Sequence, residues 1–124
     1  MSPRASATAH ELSRVTLLAS RSPGRLAKLA ARMVREDVGA GKAVVEEGDQ
    51  GDRFYVVLSG MFTVSNSVLG PRTVLRPGGY FGEVALAMDV PRTASVRALT
   101  PATVASCDGA TFDEFLRPLF ADDE

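Results

Sequence analysis

The sequence predicts a mainly β fold: a double-stranded β-helix (jelly-roll) sandwich with short flanking α-helices at both ends. Short apolar segments separated by glycine-containing turns recur between residues 35 and 108, as expected for many short strands. Helical periodicity is confined to residues 12–34 and 111–119. Many short strands in the middle of the chain, with helices only at its ends, favour a jelly roll.

Length and composition limit the class of protein. A chain of 124 residues accommodates one domain, which we expect over residues 12–121. Residues 1–11 are small and polar, and we expect them to form a disordered tail. A net charge of −1 gives no indication of nucleic acid or an anionic membrane as a partner. No apolar run approaches the roughly 20 residues of a membrane span and no signal peptide is visible, so we expect a cytoplasmic protein.

The residue types that bind metals are scarce. The chain has one cysteine, Cys107, and one histidine, His10, which falls in the expected tail. A metal site built from histidine and cysteine is therefore close to excluded. Cys107 lies in an apolar alternating segment and is interpreted as a small buried hydrophobic residue. The acidic loop 47–52 lacks the spacing of a helix–loop–helix calcium site, so we expect no metal there either.

Two helical segments are expected before the strands. Leu12 to Ala19 has a weak helical pattern. Ser22 followed by Pro23 is a helix start, and the apolar residues that follow recur at helical spacing as far as about Met33. Basic residues line the opposite face of this helix; a solvated surface is the favoured interpretation, with a partner surface as the alternative.

The expected β region covers residues 35–108. After Val34 the apolar period changes to two, as in strands. Glycine, proline and aspartate mark the turns between the strands. The clearest expected strands are 43–46, 54–59, 61–65, 72–75, 94–98 and 102–107.

A short helix is expected over residues 111–119. Thr111 and Glu114 have the spacing of a capping box, in which each side chain bonds the backbone of the other. Four apolar residues follow at helical spacing and form one face. Pro118 and the acidic residues 122–124 are expected to end the helix.

Residues 78–98 carry the chemistry of a phosphate site. Gly82 permits close approach to the backbone because it has no side chain. The run 83–87 is long enough for one helical turn, whose first N–H groups attract anions. Arg92 supplies a planar, permanently charged group that matches phosphate oxygens, and Thr93 adds a hydroxyl beside it.

Glu83 indicates a second part of the ligand. A carboxylate repels phosphate, and an ionised carboxylate only accepts hydrogen bonds. A pair of ribose-type hydroxyls would suit it. The segment therefore predicts a ligand with one anionic group and a hydroxyl close by.

Two blocks in this segment resemble a known family. The sequences Phe81-Gly82-Glu83-Val84-Ala85-Leu86 and Pro91-Arg92-Thr93-Ala94-Ser95-Val96 are similar to the phosphate-binding cassette, here residues 82–95, of the cyclic nucleotide-binding domain family. The similarity extends from roughly Leu17 to Leu119. Two matching blocks at the family's spacing are far more specific than a single glycine motif.

The resemblance implies a role for each matching residue. Arg92 would pair with the exocyclic phosphate oxygens, and Glu83 would accept from the ribose 2′-hydroxyl. The backbone N–H groups of Gly82 and Ala85 would face ribose or phosphate. Thr93 would touch the phosphate and the edge of the base. The ligand-binding set expected from the resemblance is Gly82, Glu83, Val84, Ala85, Arg92 and Thr93, with no catalytic residue and no metal.

Ordinary structural roles remain open for these residues. Arg92 and Glu83 could form a structural ion pair, and Thr93 could be a plain strand residue. Tyr80 and Phe81 are interpreted as core residues rather than a stacking platform for the base. Ser95 points away from its neighbours by strand alternation, so we do not expect it to contact the ligand.

The expected function is a sensor domain that binds a cyclic nucleotide and relays the event by helix movement to an effector domain or protein. Arginine far outnumbers lysine, as in GC-rich genomes; a bacterial member of this family favours cAMP, with cGMP as the alternative ligand. The competing hypothesis is an interaction module of the same fold with a silent pocket. An enzyme is not expected, because no catalytic constellation is present.

The resemblance also implies a lid that this sequence does not contain. Family members continue from the short helix into a longer one that covers the base. This sequence stops at Glu124, which leaves two alternatives: an absent lid or a fragment of a longer protein. No DNA-binding helix-turn-helix follows the domain in this sequence.

Overall fold

Short strands make up most of the computed structural model, which describes residues 7–68 and 70–121. Each expected strand is present within two residues of its predicted bounds. The pair Tyr80–Phe81 adds a further, very short strand. In chain order the strands of the described residues are β1 Val34–Val38, β2 Ala43–Val45, β3 Arg53–Ser59, β4 Phe62–Asn66, β5 Gly70–Leu75, β6 Tyr80–Phe81, β7 Ser95–Ala98 and β8 Ala102–Asp108.

These strands form two four-stranded antiparallel sheets. The first has the order β1-β8-β3-β6 and the second β2-β7-β4-β5, so sequential neighbours often lie in different sheets. Val34 of β1 pairs with Ser106 of β8, which brings distant parts of the chain together. Two packed four-stranded antiparallel sheets are the jelly-roll arrangement, and the predicted fold class is confirmed.

Two apolar cores hold the layers together. Strand alternation sends Val57 and Val104 between the two sheets, while Phe54 and Ala105 lie on the other face of the first sheet. The helices cover that second face. The core between the sheets contains Val38, Val45, Val57, Phe62, Phe81, Val96, Ala98, Ala102 and Val104.

The chain is ordered earlier than the sequence indicated. Helix α1 covers Ala9–Ser13, and Thr8 and Glu11 form a capping box at its start. Leu12 is fully buried, so the helix packs on the core. The expectation of a disordered tail is therefore wrong for residues 7–11, His10 included, because local capping and burial stabilise this short helix. Residues 1–6 lie outside the described residues.

The second helix follows its sequence signals. Helix α2 covers Pro23–Ala30, and the Ser22 side chain accepts from the backbone N–H of Arg25. Its apolar face is buried, as predicted. The helix ends three residues before Met33, which instead lies fully buried at the entry to β1. Between α1 and α2, Thr16–Leu18 forms one 3₁₀ turn.

The terminal helix covers Gly109–Ala121, so it begins two residues before its expected start and extends two residues past its expected end. Asp108 caps it, because its side chain accepts from the N–H of Thr111; the predicted capping box at Thr111 is wrong. The helix has an α-helical start, a π-helical turn over Phe112–Leu116 and an α-helical end over Arg117–Ala121.

Pro118 does not end the terminal helix. Proline lacks the N–H that would bond the carbonyl four residues earlier, which here belongs to Glu114. That carbonyl accepts instead from the Arg25 guanidinium of α2, at 3.1 Å. A side chain from a neighbouring helix thus satisfies the group that Pro118 leaves free, and the helix continues to Ala121.

Candidate ligand-binding site

A cavity of about 200 Å³ lies beside a short helix, α3, which covers Glu83–Met88. The second sheet supplies the opposite wall through Val45, Val64 and Leu75. All six residues predicted for the ligand site line this cavity: Gly82, Glu83, Val84, Ala85, Arg92 and Thr93. The structure therefore brings the whole predicted set together.

Gly82 sets the start of α3. Its φ of +98° lies in the left-handed region, where residues with a Cβ atom are strained. A Cβ atom at this position would lie 2.8 Å from the Arg53 carbonyl oxygen and 2.9 Å from Nη1 of Arg92. Gly82 thus permits both the turn from β6 into α3 and the close approach of Arg92.

Arg92 is the buried charge of the site. Only 7% of the residue is exposed. Nη2 donates to the carbonyl of Arg53 at 3.0 Å and Nη1 to the carbonyl of Gly82 at 3.4 Å. No carboxylate of the described residues lies within ion-pair distance of Arg92. The alternative of a structural ion pair with Glu83 is therefore not what the structure contains.

An ion of this kind is costly to bury alone. A buried charge without a counter-charge is penalised by desolvation, and the two carbonyls bring only partial negative charge. A guanidinium has five N–H donors, of which these two bonds use two. The cavity beside Arg92 therefore has a strong electrostatic preference for an anion.

Sequence reasoning missed a second glycine. A Cβ atom on Gly51 would lie 2.5 Å from the Cβ of Ala85 and 3.0 Å from Cζ of Arg92. The same loop fixes the backbone of Arg92, which donates to Asp49 and accepts from Gly48, both at 2.8 Å. The sequence identifies residues 47–52 only as an acidic loop. No local signal marks this contact, because the two segments lie about forty residues apart in the chain.

Glu83 is half-buried at the edge of the cavity. Burial raises the pKa of its carboxyl, while its own backbone N–H and the nearby charge of Arg92 oppose that rise. A partly desolvated carboxylate gains from hydroxyl donors that replace the lost water. Glu83 is thus placed to accept hydrogen bonds from the ligand.

Thr93 and Val84 lie at the mouth of the cavity. Thr93 is exposed, and Val84 is 38% exposed. Beyond Thr93 the surface continues into a neighbouring recess, of which Val64 and Thr73 form part. A ligand whose anionic end lies at Arg92 would extend past these residues towards solvent.

The neighbouring residues have the roles expected of them. Phe81 is 6% exposed and stacks on Tyr55 with 4.8 Å between ring centroids; Tyr80 packs against the helix-side core. Both also line the cavity. The Ser95 hydroxyl accepts from the N–H of Glu47 at 2.9 Å. Cys107 is fully buried, which raises the pKa of its thiol to about 12.

The described residues contain neither a metal-binding cluster nor a membrane-spanning helix. Among residues 7–68 and 70–121, no three histidine, cysteine or acidic side chains cluster in a way that could hold a metal ion. No helix in the same ranges combines the length and apolar character needed to cross a bilayer.

Fold and cavity together define a class of domain: a jelly roll that presents a buried, positively charged recess to a small anionic ligand. A sequence model of the family described as "Cyclic nucleotide-binding domain" matches residues 35–118. This match covers more than half of the chain, and the chain belongs to the cyclic nucleotide-binding domain family.

Several curated relatives share a single name. The chain is 41% identical over 104 residues to a "cAMP-dependent protein kinase regulatory subunit" of Debaryomyces hansenii, a match that covers 84% of this chain and 23% of that protein. It is 39% identical to the protein of the same name from Candida albicans over 85% of this chain and 23% of that protein. The chain thus spans about a quarter of the length of these relatives. Their fungal origin gives no support to the bacterial origin expected from the sequence.

Solved structures agree in fold. A structure titled "cAMP bound PfPKA-R (141-441)" superposes with a TM-score of 0.85 at 28% identity, over 90% of this chain and 39% of that chain. The regulatory domain of Toxoplasma gondii PKA with cAMP gives a TM-score of 0.82 at 27% identity, over 90% and 44% of the two chains.

Proposed function

We propose that this domain is a cyclic nucleotide sensor that binds cAMP in the cavity beside α3. The observation that carries the proposal is Arg92, a buried guanidinium with no carboxylate of the described residues within ion-pair distance. The cyclic phosphate supplies that missing charge. Glu83, at the edge of the same cavity, accepts from the ribose 2′-hydroxyl, and the N–H groups of Gly82 and Ala85 face the sugar phosphate.

The size of the cavity supports a position of the base outside it. A volume of about 200 Å³ lies below the roughly 300–1,000 Å³ of typical small-molecule pockets. The sugar phosphate therefore fills the cavity, and the base lies over its mouth, where Thr93 and Val84 are exposed. Thr93 is the residue that meets the edge of the base.

The proposal favours cAMP and keeps cGMP as the alternative. The relatives named above are cAMP-dependent regulatory subunits. Another relative, "cGMP-dependent protein kinase egl-4" of Caenorhabditis briggsae, is 31% identical over 87% of this chain and 15% of that protein. Both nucleotides share the sugar phosphate that Arg92 and Glu83 recognise.

The domain acts through binding and not through catalysis. Its ligand shifts the population of two conformations, which differ in how the terminal helix packs against α3. The names of the relatives support a protein kinase catalytic subunit as the effector, and the cytoplasm remains the location that we propose.

Calorimetric titration of the chain with cAMP, cGMP and 5′-AMP tests this function. Micromolar or tighter binding of cAMP, with cGMP weaker and 5′-AMP weaker still, is the expected result. A folded sample that gives no heat with either cyclic nucleotide would contradict the sensor function and favour an interaction module with a silent pocket. Tighter binding of cGMP would keep the sensor function and reverse the ligand preference.

A further inference from the structure

The terminal helix reaches the end of α3 that lies opposite the cavity. Arg117 donates from Nη2 to the Leu86 carbonyl at 3.1 Å and from Nη1 to the Ala87 carbonyl at 3.2 Å. These are carbonyls of the last turn of α3. Arg117 does not line the cavity, so any effect on the ligand must pass through α3.

The C-terminal end of α3 needs such a partner. A helix of six residues is too short to be stable alone, and the carbonyls of its last turn have no partner within the helix. They also carry the negative end of the helix dipole. Asp89, the residue that ends the helix, has a φ of +54°, so the chain leaves α3 abruptly. A fixed cation at these carbonyls stabilises both the helix and its position.

Arg117 is itself held in place. Asp113, one turn earlier, accepts from Nε of Arg117 at 2.8 Å and pairs with Nη2 at 2.7 Å. The guanidinium also lies 5.7 Å from the ring centre of Phe112, which is fully buried. Charge pairing and ring contact thus orient the group before it meets α3. The π-helical turn over residues 112–116 contains both anchoring residues and directly precedes Arg117, and such turns are frequent at functional sites.

We infer that Arg117 is a positioning residue for the ligand site: it holds α3, and with it Glu83 and Ala85, in the place that the ligand requires. This inference rests on the proposed function. Because binding free energies are reciprocal, a contact that favours the ligand-competent position of α3 also lets the ligand favour the packed position of the terminal helix. Arg117 is then the polar link between ligand and helix.

Arg32 provides a matched control. It contacts the terminal helix from the other side, with a 2.6 Å ion pair to Glu114 and a ring contact to Phe115 at 5.0 Å. Both arginines are about half-exposed and bonded to an acidic residue of the terminal helix. Arg32 makes no hydrogen bond to α3 among the described residues. A change that only loosens the terminal helix therefore affects both positions alike.

The test compares the whole chain with Arg117→Met, Arg117→Lys and Arg32→Met. Amide hydrogen exchange without ligand measures the stability of residues 87–90, and calorimetry measures cAMP affinity. We expect Arg117→Met to accelerate exchange at residues 87–90 and to weaken cAMP binding roughly tenfold, a usual size for coupling between sites. Arg117→Lys, which keeps a charge and a donor, should recover part of both effects. Arg32→Met should leave both near their wild-type values.

The outcomes separate this inference from the proposed function. Wild-type protein that binds cAMP, with Arg117→Met binding equally well, overturns the role of Arg117 alone. Equal losses in Arg117→Met and Arg32→Met also overturn it, because loosening the terminal helix would then explain both. If the wild-type chain binds no cyclic nucleotide, the proposed function fails. Unchanged exchange at residues 87–90 in Arg117→Met would then show that Arg117 does not hold α3 either.

Should Arg117→Met fail to fold, Asp113→Asn takes its place in both measurements, because it removes only the charge that orients Arg117.

Discussion

Two arginines bond the backbone at opposite ends of α3, and their surroundings differ in ion pairing and in burial. Arg92 donates to the Gly82 carbonyl before the helix, and Arg117 donates to the Leu86 and Ala87 carbonyls at its end. Arg117 has a carboxylate of its own in Asp113 and is 42% exposed. Arg92 is 7% exposed and forms no ion pair with a carboxylate of the described residues. The arginine at the C-terminal end of α3 is paired with a carboxylate, whereas the arginine at the N-terminal end has no ion-pair partner among the described residues.

The difference teaches where a ligand belongs. Paired, half-exposed charges contribute little beyond geometry, whereas a buried and unpaired charge is unfavourable until a partner arrives. An anionic ligand bound at Arg92, as proposed, would supply the counter-charge that this buried guanidinium lacks.

The largest loss is expected for Arg92→Ala. Removing the charge that meets the cyclic phosphate should cost roughly 2–5 kcal/mol of cAMP binding, the usual scale for truncating a desolvated charge pair. Calorimetry measures the loss, and Arg21→Ala, an exposed arginine remote from the cavity, is the control. Since Arg92 also bonds two backbone carbonyls, thermal unfolding must confirm a folded sample. Full cAMP affinity in a folded Arg92→Ala protein would show that the buried charge of Arg92 is not needed for ligand binding.

Gly51→Ala should displace Arg92 without removing its charge. The added methyl would meet Ala85 at 2.5 Å and the guanidinium at 3.0 Å, and overpacking of this kind costs about 1–3 kcal/mol. We expect cAMP affinity to fall by a comparable amount. Gly24→Ala is the matched control, because nothing lies within 4 Å of a Cβ atom there; its cAMP affinity should not change. Equal affinities in the two variants would mean that Arg92 moves freely.

Glu83→Ala should cost less than Arg92→Ala. It removes the proposed hydrogen bond to the neutral ribose 2′-hydroxyl, and leaving that group unpaired costs roughly 1–3 kcal/mol. The same titration provides the comparison. A loss at Glu83 larger than the loss at Arg92 would refute the assignment of phosphate to one residue and ribose to the other.

Burial of Glu83 predicts a dependence on pH. Its pKa lies above the usual value of 4.5, and the ionised carboxylate accepts from the ribose 2′-hydroxyl of cAMP more strongly than the neutral acid does. Affinity for cAMP should therefore decrease as the pH falls through that raised pKa, and Glu83→Gln should abolish the dependence.

The stability of the protein without ligand should depend on pH with the opposite sign. A raised pKa contributes stability below the unfolded-state pKa, and this stability is lost as the pH rises through the folded-state pKa. Glu83→Gln should accordingly unfold at a slightly higher temperature at neutral pH.

The smallest effect is expected at the mouth of the cavity. Thr93→Ala removes a hydroxyl that reaches the edge of the base, worth about 0.5–1.5 kcal/mol. The change should alter the ratio of cAMP to cGMP affinity more than either affinity alone. Parallel titrations give the ratio, and equal losses of affinity for both nucleotides would indicate that Thr93 contacts only the phosphate that they share.

Features encoded in local patterns were predictable from sequence. The strands follow from alternation and turn residues, and the cassette follows from two short blocks that contain Gly82, Glu83 and Arg92. The residues that tie distant segments together were not predictable. Gly51 meets Arg92 only after folding, and Arg117 meets α3 across some thirty residues; a pairwise contact of this kind leaves no periodicity in the chain.

The ends of the helices show a second limit. Thr111 has a valid capping partner in Glu114, yet Asp108 caps the helix because β8 delivers it to that position. Pro118 is a helix breaker by its chemistry, yet Arg25 of α2 takes the carbonyl that it leaves free. In both cases a residue outside the segment decides the outcome, so sequence rules applied within the segment fail.

The contact between Arg25 and Glu114 also bears on how the protein emerges from the ribosome. Its partners are 89 positions apart, and the pairing of Arg32 with Glu114 spans 82. Strand β1 likewise cannot pair until β8 has been made, since Val34 pairs with Ser106. Part of the packing surface of the leading helices, and the partner strand of β1, are therefore missing until translation has passed the cassette. Contacts of such long range slow folding, and the apolar faces of α1 and α2 stay open to chaperones until nearly the whole domain has been made.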